Sequence, residues 1–148
     1  MTEIKIATIN HIPELVNLLN LLFDQEEDFI PDTNKQRLGL MQIIVNPDKG
    51  HILALLENNK IIGMVNLLYT ISTALGGKVA ILEDMILDPE KRGSGQGTIL
   101  LQAAIDFAKQ KECLRITLLT DVINKDAIRF YQKLGFVKSG MTPLRLLF

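Results

Sequence analysis

Ile81-Leu82-Glu83-Asp84-Met85-Ile86-Leu87-Asp88-Pro89-Glu90-Lys91-Arg92-Gly93-Ser94-Gly95-Gln96-Gly97-Thr98, continuing into Ile99-Leu100-Leu101-Gln102-Ala103-Ala104, is the stretch that decides the fold. The apolar run through Leu87 reads as a strand, and Pro89, which has no N–H for a ladder, ends it. Gly93, Gly95 and Gly97 alternate with small or polar residues, so the backbone can take positive φ and approach a ligand closely. Ile99, Ala103 and Phe107, and likewise Leu100, Ala104 and Ala108, then recur at helical spacing, which starts a helix at about Gln96. A helix N-terminus reached through glycines presents unpaired N–H groups and a positive dipole end, and both suit a phosphate. Lys91 and Arg92 add charge at the same mouth. Two familiar phosphate loops do not fit. The dinucleotide pattern G-x-G-x-x-G needs one more residue before the last glycine, and the P-loop needs a lysine after Gly97.

Composition sets bounds around that stretch. The chain has 148 residues, enough for one domain, 1–148, with a real core. Its apolar fraction of 47% and charged fraction of 22% are ordinary for a globular protein. A net charge of −1 gives no basic footprint, so no nucleic-acid partner is expected. The single cysteine, Cys113, excludes an internal disulfide and is expected to be a buried structural thiol between a helix and a strand. Apolar runs are short and the N-terminus has no signal-like core, so a cytoplasmic protein without a membrane partner is expected. His11 and His51 lie far apart without ligand spacing, so no metal is expected.

Working outward, residues 3–8 read as a short strand, and Leu15, Leu18, Leu19 and Leu22 form the stripe of a first helix. The acidic run Asp24-Gln25-Glu26-Glu27-Asp28 reads as a solvated helix end, or as a surface facing a cationic substrate. Residues 35–45 read as a second helix. Residues 52–56, 61–69 and 79–87 read as consecutive strands, with Asn58-Asn59-Lys60 as the first hairpin connection. After the glycine loop and its helix come a strand at 115–120, parallel to its predecessor, and a last helix at 126–134. Phe136-Val137 and Leu144–Phe148 read as two further strands. Met41, Met64, Met85 and Met141 are expected to fill the core.

Arg92-x-x-Gly95-x-Gly97 after a strand resembles the acyl-CoA pyrophosphate loop of the GNAT N-acetyltransferase family. Asn124-Lys125-Asp126-Ala127-Ile128-Arg129-Phe130-Tyr131-Gln132-Lys133-Leu134-Gly135-Phe136 resembles a second signature of that family, at the place expected for it. The resemblance spans nearly the whole chain. It implies an α/β (α+β) acyl-CoA N-acyltransferase fold, a mixed, mostly antiparallel sheet of about seven strands flanked by four helices. It implies acetyl-CoA as co-substrate. Met85, Ile86 and Leu87 would offer backbone groups to the pantetheine arm. Arg92, Gly93, Ser94, Gly95, Gln96, Gly97 and Thr98 would surround the pyrophosphate. Asn124 would contact the cofactor, and Tyr131 would stand near the thioester sulfur. Family members commonly dimerise through terminal strands, so a homodimer stays open.

The chemistry is arguable without the resemblance. A primary alkylamine has a pKa of about 10.4, so it must lose a proton before it attacks a thioester. A carboxylate can take that proton, a backbone N–H can hold the oxyanion, and a phenol can protonate the leaving thiolate. Glu83 is the expected base, because it interrupts an apolar alternation and, on a regular strand, shares a face with Met85. Asp84, on the opposite face, is the fallback, and Tyr131 is the expected acid. The expected acceptor is a small-molecule or peptide amine. A competing reading is a non-catalytic acyl-CoA sensor or scaffold of the same fold, and a third is an unrelated nucleotide-binding loop.

Overall fold

The computed structural model describes residues 1–23 and 32–148. The acidic run 24–28, and the expectation of a substrate-facing surface there, lies outside the described residues. Strand β1 (Thr2–Ile6) leads into helix α1 (Ile12–Phe23) and then, beyond the undescribed stretch, helix α2 (Thr33–Ile44). A meander follows, β2 (Gly50–Glu57), β3 (Lys60–Ser72) and β4 (Gly77–Leu87), before helix α3 (Gln96–Gln110), β5 (Ile116–Leu118) and helix α4 (Lys125–Lys133).

Local chemistry sets these boundaries. Asp32 starts α2 by accepting the backbone N–H groups of Asn34 and Lys35, leaving the helix two residues longer at its start than its apolar stripe suggests. Asn58 and Asn59 both sit at positive φ, 51° and 66°, which is what a two-residue hairpin with native twist requires. Gly135, at φ 105°, follows the end of α4.

The strands form one five-stranded sheet in the order β1-β2-β3-β4-β5. All pairs are antiparallel except β4 with β5, which is parallel and follows from the α3 crossover. Both faces of the centre are covered, so β2 and β3 are nearly continuous apolar runs. Ile52, Ala54, Met64 and Ile86 pack under α1 and α2, beside Leu15, Leu18 and Leu40. Leu53, Leu55, Val65, Leu67 and Leu82 pack under α3, against Leu100, Leu101 and Ala104. The Glu14 carboxylate of α1 accepts the Ile61 backbone N–H at 3.0 Å, which pins that helix to β3.

The described sheet has five strands where about seven are expected, and β5 keeps only Ile116–Leu118 of its expected six residues. Phe136-Val137 and Leu144–Phe148 form no strand. An edge strand needs a partner and a face to bury. β5 offers three residues, and Val137, Met141, Leu144 and Leu146 lie 78–94% exposed. Pro143 further removes a donor from that segment. Met64 is a core residue, but Met41 at 40% and Met141 at 87% exposure are not the core filler their type suggests. Among the described residues no helix is long and apolar enough to cross a membrane.

Candidate functional site

Strand β4 is irregular where the motif begins. Asn66 of β3 stands opposite Glu83, yet Met64 stands opposite Ile86, so β4 carries one extra residue against Val65. That is a β-bulge, and Asp84 occupies it at φ +51°, a left-handed conformation that a non-glycine residue adopts only under constraint. The bulge changes which side chains share a face. Leu82, Met85 and Leu87 pack on the α3 side, while Ile86 packs on the α1–α2 side. Glu83, next to Leu82, therefore points to the α1–α2 side, away from Met85, and the shared face expected from strict alternation is not formed. Asp84 was expected on the opposite face from Glu83. Its carboxylate instead accepts a 2.7 Å hydrogen bond from Asn66 Nδ2, on the same α1–α2 side as Glu83. Glu83 is exposed, and Asp84 and Met85 are half-buried.

Beyond Leu82 the outer edge of β4 has no partner strand among the described residues, because β5 pairs only with Ala80–Leu82. The Asp88 backbone N–H points inward to the Ile62 carbonyl at 2.7 Å. Alternation then turns the backbone groups of Ile86 inward too, and those of Met85 and Leu87 outward to the open edge. An extended amide chain can add to such an edge as a strand does.

The glycine loop follows at once. Asp88 caps a short 3-10 turn by accepting the Glu90 N–H, and Gly93 and Gly95 sit at φ 84° and 82°. Gly95 is the N-cap of α3 and supplies no side-chain acceptor, so the first-turn N–H groups of that helix face outward without a cap. Gly97 lies within the first turn of α3, where an added Cβ would meet the Phe130 ring of α4 at 3.5 Å, an ordinary contact. Gly93, Ser94, Gly95, Thr98 and Arg92 are exposed, so the mouth is open. Lys91 does not add its charge there: it pairs with Glu57 at the end of β2, which pulls the Glu57 carboxyl down and the Lys91 ammonium up from their ordinary values. Gln96 Nε2 also reaches Glu57, at 3.5 Å, so the loop is tied to the β2–β3 hairpin.

Beside the loop, a cleft of about 470 Å³ runs between α3 and α4, lined by Thr98, Asp126, Arg129, Phe130, Lys133 and Leu134. Asn124 is the N-cap of α4 and accepts the Ala127 N–H at 3.1 Å. Tyr131 packs between Phe130 and Phe136, with ring centroids 5.4 and 5.8 Å away, and burial pushes its phenol pKa up. Cys113 is half-buried beyond the far end of α3, and burial raises its thiol pKa as well. No group of three histidine, cysteine or acidic side chains suited to a metal occurs among the described residues.

Residues 13–136 match the acetyltransferase (GNAT) family. The chain belongs to that family. A GNAT relative from Bacillus subtilis, the uncharacterized N-acetyltransferase YhfO, is 35% identical over 80 residues, covering 54% of each chain. N-alpha-acetyltransferase 30 of Schizosaccharomyces pombe is 36% identical over 85 residues, 56% of this chain and 55% of that one. The matched stretch spans 26–55% of the length of the first curated relatives. In structure, a transcriptional regulator from Bacillus halodurans C-125 superposes with a TM-score of 0.83 at 25% identity, over 100% of both chains. A ribosomal-protein-alanine N-acetyltransferase from Brucella melitensis superposes with a TM-score of 0.80 at 12% identity, over 100% of this chain and 99% of that one.

The structure thus brings Glu83, Met85, Leu87 and the loop Arg92–Thr98 onto one strand and its following turn, with Tyr131 and Asn124 on α4. Sequence reasoning missed Asn66, Glu57 and the bulge. Asn66 left one trace, as the single polar residue in the run Ile61–Leu68.

Proposed function

We propose that this GNAT chain moves an acetyl group from acetyl-CoA to a primary amine by direct attack within a ternary complex. The observation that carries the reading is the open outer edge of β4 running straight into the uncapped, glycine-led N-terminus of α3. Pantetheine carries amide groups along an extended chain, and the edge groups of Met85 and Leu87 match them. A pyrophosphate matches the N–H groups at Gly95, Gln96, Gly97 and Thr98, with Arg92, Gly93 and Ser94 around it. The nucleotide end has a neighbouring cleft with Arg129 and Lys133 on its wall, and Asn124 at the head of the same helix.

Acetyl-CoA supplies an activated carbonyl, and the residues handle protons and charge. The Glu83 carboxylate takes one proton from the substrate ammonium, and the neutral nitrogen attacks the thioester carbon. An outward N–H of β4 holds the resulting oxyanion. As collapse breaks the C–S bond, the Tyr131 hydroxyl protonates the departing thiolate, and the second proton that the nitrogen must lose to become an amide passes through solvent and restores the phenol. A phenol whose pKa is raised by burial still carries its proton at neutral pH, as an acid must. Cys113, past the end of α3, has no place in this direct route.

Thiol release from acetyl-CoA, followed with a panel of primary amines, tests the proposal. Glu83→Gln should lower kcat by about 10²–10⁴-fold at an unchanged unfolding temperature, since the residue is exposed. Acetyl-CoA binding without thiol release, with Glu83→Gln indistinguishable from wild type, would favour the sensor reading instead.

A further inference from the structure

The Asn66–Asp84 pair has no part in the steps above, and its construction is unusual. Asn66 is 2% exposed on β3, and its side chain points to the α1–α2 side among apolar neighbours. Its Nδ2 donates to Asp84 Oδ2 at 2.7 Å, while its Oδ1 is buried with no hydrogen-bond partner among the described residues. A buried amide with an unmet acceptor is destabilising by itself. Asp84 is held at φ +51° on a bulge, a second departure from the low-energy arrangement. Asp84 lies between Glu83 and Met85, Asn66 stands opposite Glu83 on β3, and the outward backbone groups of Met85 border the open edge of β4. Bulges of this kind re-aim a side chain, and here the re-aimed group is a carboxylate.

Resting on the acetyl-transfer reading, we propose that Asp84, positioned by Asn66, is the anchor for a cationic acceptor, binding the substrate ammonium before Glu83 removes its proton. The chemistry is complementary. A primary ammonium has three N–H donors and a positive charge. Asp84 supplies a half-exposed carboxylate acceptor, and Asn66 Oδ1 is an unmet acceptor beside it among the described residues. Oδ1 is covered, so its pairing requires a shift of the side chains over it, whereas Asp84 is half-exposed. The two adjacent carboxylates then divide the work: Asp84 sets affinity and orientation, and the more exposed Glu83 exchanges the proton with solvent. Asn66 acts only through Asp84 and is a positioning residue.

Steady-state kinetics with saturating acetyl-CoA separates the two roles, with butane-1,4-diamine, a peptide with a free N-terminus and glucosamine 6-phosphate as acceptors. Asp84→Asn is the informative variant. Asparagine tolerates positive φ at least as well, and its Oδ1 still accepts from Asn66, so the bulge is kept while the charge is removed. For the acceptor that wild type uses fastest, the expected result is a KM raised at least tenfold with kcat within about threefold of wild type. Asn66→Leu, which keeps the branched shape and removes the donor, should raise KM in the same direction by a smaller factor. An unchanged KM in Asp84→Asn would overturn the anchor, and so would a collapsed kcat at unchanged KM, which would make Asp84 the base. Acetyl-CoA binding by wild type with no acceptor turned over would overturn the transfer reading first, and the anchor with it.

Discussion

Among the described residues, β4 pairs along its inner edge with β3 from Gly77 to Leu87, and along its outer edge with β5 only from Ala80 to Leu82. The inner neighbour is buried without a break from residue 61 to residue 67. The outer side is open, and past it lie the half-exposed β5 and α4, a helix with no buried residue. One strand therefore separates two regimes. Toward β3, the ladder pairs the backbone groups and apolar side chains fill the core, with the unmet Asn66 Oδ1 as an exception, and that region carries stability. Away from β3, the same strand leaves N–H and C=O groups and a loop of uncapped amides for something else to pair with. Parallel β4–β5 pairing that stops after three residues is what creates the gap. A full-length β5 would give a better sheet and close that gap.

The largest effect should come from the inner side. Leu67 is fully buried opposite Leu82, so Leu67→Ala should lose about 2–5 kcal/mol in urea unfolding, with acetyl-CoA affinity of the folded protein unchanged. A loss below about 1 kcal/mol would break the division between the two edges. Next comes the outer side. In Tyr131→Phe the ring still packs between Phe130 and Phe136, so kcat should fall by about 10²-fold with little change in unfolding temperature. Smaller still is the β2–β3 turn. Asn59 sits at φ 66°, and Asn59→Gly should stabilise by up to about 1 kcal/mol with no kinetic consequence.

The last expected effect is one of pH. The Tyr69 hydroxyl bonds His51 Nδ1 at 2.7 Å at the end of β4 remote from the loop, and burial pushes its pKa from 10.0 to about 12. The folded state thus keeps a proton that the unfolded chain has begun to lose. The stability it contributes is fully present below pH 10.0 and is lost as pH rises to about 12. Urea midpoints across that window should fall more steeply for wild type than for Tyr69→Phe. Parallel curves would place Tyr69 in a solvated setting and shrink the satisfied region.

Much of this was legible in the chain. The apolar runs of β2 and β3, the Asn58-Asn59 turn and the helical stripes of α1 and α3 are local signals, and each formed where the pattern put it. The glycine loop was legible because positive φ at Gly93 and Gly95 is a property of residue type. What failed depended on partners. The strands expected at 136–137 and 144–148 had apolar character but no surface to bury it against. The shared face of Glu83 and Met85 assumed strict alternation, which one extra residue in β4 removes, and nothing in Glu83-Asp84-Met85 alone marks Asp84 for a left-handed conformation. Lys91 was expected to add charge at the loop mouth, but the β2–β3 hairpin brings Glu57 to it across 34 residues of chain.

The most direct test of the account is thermal unfolding of wild type and Gly95→Val with acetyl-CoA, ATP or NAD. Nothing lies within 4 Å of a Cβ at Gly95, so the substitution strains only the loop, by about 1–2 kcal/mol, and the protein stays folded. Acetyl-CoA at one hundred times its Kd should stabilise wild type by about 2.7 kcal/mol, with no comparable shift from ATP or NAD, and Gly95→Val should lose that response. A wild type indifferent to acetyl-CoA, or a Gly95→Val variant that responds as fully as wild type, would contradict the claim that the open edge of β4 and the loop after it are an acyl-CoA site.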